Sequence, residues 1–259
     1  MIKSAKIKWF LVVIFLKFNS FNSFAHKQFK ENSDSIEYIV LDDLKGNQGY
    51  ITKSRGLKIL SELNLTDSTN SDWNSVLVSD TLGTYFKSQE SGNYVLCLID
   101  LSGEDMFETH VLLELQPISE NQFKVLAKER YYHGNYSCCW TNYYDGFNQF
   151  ESYFTLAVCG TGSGFCGRRV YYFKTVCSQE SSLSIADNYS SSYDDDVVFL
   201  SSTKSMDKDS LIYHYRLDNF KRKRNDRLKL KTSKSFNVQY KLINNKWVSE
   251  DEAAHSIEF

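Results

Sequence analysis

The sequence predicts an all-β protein: a single large antiparallel domain of sandwich-like form, with a propeller-like arrangement as the alternative and at most one short helix near 56–63. Three observations carry this prediction. Strand-like runs recur from residue 37 onward with turn residues between them. Two central segments, 153–159 (YFTLAVC) and 170–176 (VYYFKTV), are apolar on both faces, as strands in the middle of a layered β protein are. Helical spacing is confined to Leu57, Leu60 and Leu63. Composition agrees: of 259 residues, 42% are hydrophobic and 15% aromatic, which suits a packed core and excludes a disordered chain.

In chain order, residues 1–25 read as a secretory signal peptide. Lys3, Lys6 and Lys8 precede the apolar stretch 9–16, and Ser23 and Ala25 supply the small residues of a cleavage site. That apolar stretch is too short to span a bilayer. The expected mature chain begins at His26 and carries no transmembrane segment, which makes the protein secreted or periplasmic, in or beyond the cell envelope. Residues 26–36 form a polar leader, and 37–259 the β-rich domain.

Within that domain, 37–41 (EYIVL) runs into the turn LKGNQG, and 93–101 (NYVLCLIDL) ends at SGED. The two phrases share an aromatic–apolar–Asp–Leu–x–Gly pattern, the basis of the propeller alternative. Segment 107–115 alternates, with Val111, Leu113 and Leu115 on one side and Glu108, His110 and Glu114 on the other. With Phe123, Val125 and Ala127 beyond Pro117, it reads as a hairpin with one wet face. Residues 178–196 are rich in Ser and Asp without periodicity and read as a loop. Strands resume at 197–200, 211–217, 227–231 and 236–242.

Six cysteines (Cys97, Cys138, Cys139, Cys159, Cys166 and Cys177) in an exported chain predict disulfides, with Cys159–Cys166 the favoured pair across a hairpin. No C-x-x-C pair or paired-histidine spacing indicates a metal site, and no cofactor motif is present. The literal G-x-G-x-x-G at 162–167 is followed by a strand rather than the helix a dinucleotide site requires. It reads as a wide hairpin turn, with an anion site on Arg168 and Arg169 the functional alternative. The acidic turns 100–105 and 194–196 are candidate cation loops beside the simpler reading of solvated turns.

For function the densest feature is 131–150, where Trp140, Tyr143 and Tyr144 lie among further tyrosines; amphipathic rings of this kind serve glycan and peptide sites. Segment 221–234 holds eight basic residues and one acid, which suits an anionic polymer or membrane surface; in an exported chain it does not point to nucleic acid. The expected function is an exported, disulfide-bonded β-rich binding or structural module, for glycan or peptide. The alternative is an extracytoplasmic hydrolase using His133 and Asp145 as acid and base. No arrangement of residues identifies a catalytic group.

Overall fold

The computed structural model describes residues 37–42, 44–65, 80–100, 108–133, 146–162, 164–207, 210–243 and 246–251. Residues 1–36, where the signal peptide and polar leader are expected, and residues 134–145 lie outside the described residues, with Cys138, Cys139, Trp140, Tyr143, Tyr144 and Asp145 among them. Among the described residues there are fourteen strands, all antiparallel, in two sheets. In the first, of six strands, the order is β1 (Tyr38–Val40), β6 (Gln122–His133), β5 (Glu108–Pro117), β4 (Tyr94–Asp100), β3 (Thr81–Lys87), β2 (Gln48–Thr52). The second follows chain order from edge to edge: β7 (Phe147–Phe150), β8 (Tyr153–Gly162), β9 (Phe165–Phe173), β10 (Leu183–Tyr193), β11 (Asp196–Asp207), β12 (Ser210–Arg222), β13 (Leu228–Ile243) and β14 (Lys246–Val248).

The all-β expectation holds, in the sandwich-like form. The two phrases behind the propeller alternative fall on β1 and β4 of one sheet rather than on separate blades. The helix is present as α1 (Lys53–Glu62), starting three residues earlier than its leucine spacing indicates. It lays Ile59 and Leu60 on the first sheet, and Gly56 is required where the helix meets the Leu82 side chain. These residues join Leu41, Leu96, Leu98, Val111, Leu113 and Phe123 in one core.

The opposite face of that sheet is not wet. Val95, Cys97, Leu112 and Tyr131 pack against Phe147, Phe154, Leu156, Tyr171 and Phe173 of the second sheet. His110 and Glu114, expected on a solvated face, are therefore buried. The reason is visible in the bonding: Glu114 accepts from Asn93 Nδ2 (2.8 Å) and from the backbone N–H of Val176 (3.0 Å). Polar residues on an alternating strand can thus tie two sheets together when every acceptor is satisfied.

The second sheet curls into a half-barrel. Side chains alternate along its strands, so β8 and β9 send Phe154, Leu156, Tyr171 and Phe173 toward the first sheet and Tyr153, Val170 and Tyr172 into the curl. Trp247, on the β14 margin, lies 5.2 Å ring to ring from Tyr153 near the other margin. The segment 178–196 is not a loop: most of it is β10, held between β9 and β11 with Ile185 and Tyr189 buried.

Candidate binding groove and the charged interior of the curled sheet

Among the described residues the strand order leaves β2 and β7 as edges of their sheets, and a groove of about 770 Å³ lies between them. Its lining comes from β2 (Gln48, Gly49, Tyr50), β3 (Thr84, Phe86), β7 (Phe147, Asn148, Gln149) and Glu151 in the β7–β8 turn. Phe86 and Phe147 meet edge to face at 5.5 Å and supply apolar floor. Tyr50 is 68% exposed. Gly49 is needed where β2 crosses Tyr85: a Cβ there would run into the ring, whose hydroxyl donates to Lys45 O (2.8 Å) and accepts from Lys45 N–H (3.1 Å). Glu151 is in the left-handed region (φ 54°), an uncommon conformation for a non-glycine residue, and it places a carboxylate at the rim.

Inside the curl sits a second polar constellation. Asp187 occupies a β-bulge in β10, where the register against β9 shifts between Ala186 and Asn188. Its carboxylate accepts from Arg168 Nε (2.6 Å) and from the Arg168 Nη2, while its other oxygen accepts from Ser202 Oγ (3.1 Å). Nearby, Lys204 Nζ donates to Tyr172 Oη (2.9 Å), which lies 2.7 Å from Tyr213 Oη. The ammonium also lies over the Phe150 and Tyr172 rings. Tyr215 Oη donates to Ala186 O (2.8 Å). Burial pushes the Lys204 pKa down and those of Tyr172, Tyr213 and Tyr215 up. Every charge here is paired or bonded, and the tyrosine rings are buried. The constellation is a satisfied interior with no group poised to attack a substrate.

The residues singled out from sequence fare differently. Arg168 and Arg169 are not brought together. Successive strand residues point to opposite faces, so Arg168 turns inward to Asp187 while Arg169 donates to Ser184 Oγ (3.1 Å). The glycine-rich stretch is a tight hairpin rather than a wide turn: Gly162 pairs with Phe165, with only residues 163 and 164 between. Gly164 has φ +76°, and a Cβ there would meet the Ser192 carbonyl oxygen. The 194–196 turn closes the β10–β11 hairpin, and the carboxylates of Asp195 and Asp196 are taken by Lys221 and Lys231 rather than arranged around a cation. Of the other acidic turn, 101–107 lie outside the described residues, as does the ring cluster Trp140, Tyr143 and Tyr144. His133 lies at the end of β6; its proposed partner Asp145 is among the residues not described.

The six-disulfide-cysteine expectation is corrected at two positions: Cys97 and Cys177 are free thiols. Cys97 is enclosed in the inter-sheet core between Thr84 and Leu112, and burial raises its pKa. Cys177 follows β9, where Tyr131 Oη donates to its carbonyl (3.1 Å); burial raises this thiol too. Cys159 and Cys166 stand on one face of the β8–β9 hairpin, diagonal rather than opposite, since Cys159 pairs with Arg168 and Cys166 with Thr161.

The segment 131–150 singled out for function contributes Phe147, Asn148 and Gln149, but Gln48–Tyr50 carries no motif, and only the strand order brings the two edges together. Compared with known proteins, the chain matches no family model, no curated protein and no solved structure.

Proposed function

We propose that the protein is an exported β module that binds an extended peptide in the groove between β2 and β7. The observation that carries this reading is the groove itself, which brings the edge strands of two different sheets to one cleft. An edge strand offers main-chain donors and acceptors to an added strand, and alternate side chains of the guest enter flanking pockets. The apolar floor of Phe86 and Phe147 and the amides of Gln48, Asn148 and Gln149 match the two kinds of side chain such a guest presents. Export and disulfide bonding belong to the same reading. They are supported by the layout of residues 1–25 and by Cys159 and Cys166, which stand on one face of the β8–β9 hairpin.

The test is binding of a library of unstructured peptides, read by fluorescence polarisation, with a glycan array run in parallel. Tyr50→Ala and Gln149→Ala should weaken peptide binding at least tenfold while leaving the folded state intact. Binding that survives both changes, or that appears only on the glycan array, overturns the reading.

A further inference from the structure

We propose that the overhanging tip of the β12–β13 hairpin docks the protein onto an anionic membrane surface. The ribbon runs past the core that the rest of the sheet builds: every residue from 228 to 235 is exposed. The strands place this tip at the end of the second sheet away from the β7–β8 turn that rims the groove, since β8 runs from Tyr153 beside that turn to Gly162 at the tip end. The inference therefore stands independently of the peptide reading.

Two features coincide there. The first is charge. Lys223, Arg224, Arg227 and Lys229 form no ion pair among the described residues, whereas Lys221 and Lys231 are held by Asp195 and Asp196. Asp194 and Asp226 face the same tip, and the cations outnumber the acids. The second is an apolar row that runs from buried Val197 out to exposed side chains. Val197, Phe220 and Leu230 stand opposite one another across three strands, and Leu228 and Phe199 continue the same face. Phe199, Leu228 and Leu230 are 40–46% exposed, and Phe199 meets Phe220 edge to face at 5.6 Å. Tyr193, 67% exposed, stands on the opposite face of the ribbon at the same end.

A soluble polyanion would use the cations and leave the leucines and phenylalanine in water. A lipid surface uses both, with headgroup phosphates taking Lys and Arg while the apolar side chains enter the acyl boundary. Charge complementarity and the exposed row together favour the membrane. A β-bulge at Lys231, between the Asn219 and Phe220 pairs, turns the tip relative to the sheet behind it.

The experiment is flotation of the purified protein with vesicles of phosphatidylcholine alone or phosphatidylcholine with phosphatidylglycerol, at low and high salt, with heparin as a soluble polyanion. The expected result is binding to the anionic vesicles at least tenfold tighter than to the neutral ones, reduced by salt. Arg224→Glu with Arg227→Glu, and separately Leu228→Ser with Leu230→Ser, should each cut it at least tenfold. All four residues are exposed, so thermal melts should show both variants folded. Equal binding to both vesicles overturns the proposal, and so does absence of binding. Insensitivity to the leucine changes with strong heparin binding overturns it in favour of a polyanion site.

Discussion

Tyr172 and Tyr213 share a 2.7 Å hydrogen bond although β9 and β12 are separated in the sheet by β10 and β11. The bond therefore crosses the interior of the curl instead of running along the ladder. Lys204 donates to the same Tyr172 hydroxyl, so three strands are joined through one oxygen. The curl of this sheet is held by polar side chains as much as by the aromatic core around them.

Tyr213→Phe removes one member of that chain and leaves the Lys204 bond in place. The expected cost is about 0.5–1.5 kcal/mol, the range for a neutral hydrogen bond whose partner keeps another. Tyr172→Phe also strands the ammonium, and the expected loss is larger, about 2–3 kcal/mol. Urea denaturation with an unchanged m value measures both. An equal loss in the two variants would mean that Lys204 draws nothing from the ring hydroxyl.

Arg168→Leu tests the bulge. Asp187 is buried and would keep only Ser202 as a donor. Breaking a buried pair from one side costs several kcal/mol; since the Arg168 side chain is 36% exposed, about 2–3 kcal/mol is expected here. Replacing Asp187 with Leu as well should recover most of the loss, because the penalty belongs to the stranded carboxylate. A double variant no more stable than Arg168→Leu alone would show that Asp187 shapes the bulge by more than its charge.

Much of the fold was legible in the sequence because apolar runs declare themselves. Segments 153–159 and 170–176 had to be covered on both faces, and they are the strands shared by the two cores. Two kinds of element were not legible. β5 alternates but for Leu112, yet its polar side is buried, because only the position of the second sheet decides where Glu114 finds its donors. β10 is Ser-rich and has little strand preference of its own; pairing on both sides imposes the conformation. The Arg168–Asp187 pair and the groove share a cause of invisibility, since both join segments whose proximity exists only after the strands are ordered. One signal could have pointed to Asp187: a lone carboxylate inside the otherwise uncharged run 181–192 asks for a cationic neighbour on an adjacent strand.

The cysteines divide into two classes that chemistry can separate. Cys97 is fully enclosed and Cys177 half-buried, and burial holds both thiols above their ordinary value, which keeps the reactive thiolate scarce. In the folded protein, without reductant, iodoacetamide should label Cys177 slowly and Cys97 only as fast as the protein unfolds. In denaturant without reductant both should label at once, while Cys159 and Cys166 should label only after reduction. Peptide mass mapping reads all four. Labelling of Cys159 or Cys166 in unreduced denatured protein would remove the disulfide from the proposed function.

Alkaline pH should unfold the protein through its tyrosines. Burial raises the pKa of Tyr131, Tyr172, Tyr189, Tyr213 and Tyr215 above the ordinary value of 10.0. A group whose folded pKa is raised contributes stability that is complete below its unfolded value and is lost as pH climbs toward the folded one. The five therefore add no pH dependence near neutrality and act together above about pH 10. Lys204 works in the opposite direction: burial lowers its pKa, so the folded state sheds that proton first and gains relative stability as pH rises toward 10.5. One lysine against five phenols leaves a net loss. Absorbance at 295 nm should show these phenols ionising in a single step that coincides with loss of the near-ultraviolet circular dichroism signal. Tyr213→Phe removes one of the five and should make the alkaline transition less steep. Gradual ionisation of all tyrosines, with the dichroism unchanged, would mean that water reaches the interior of the curl.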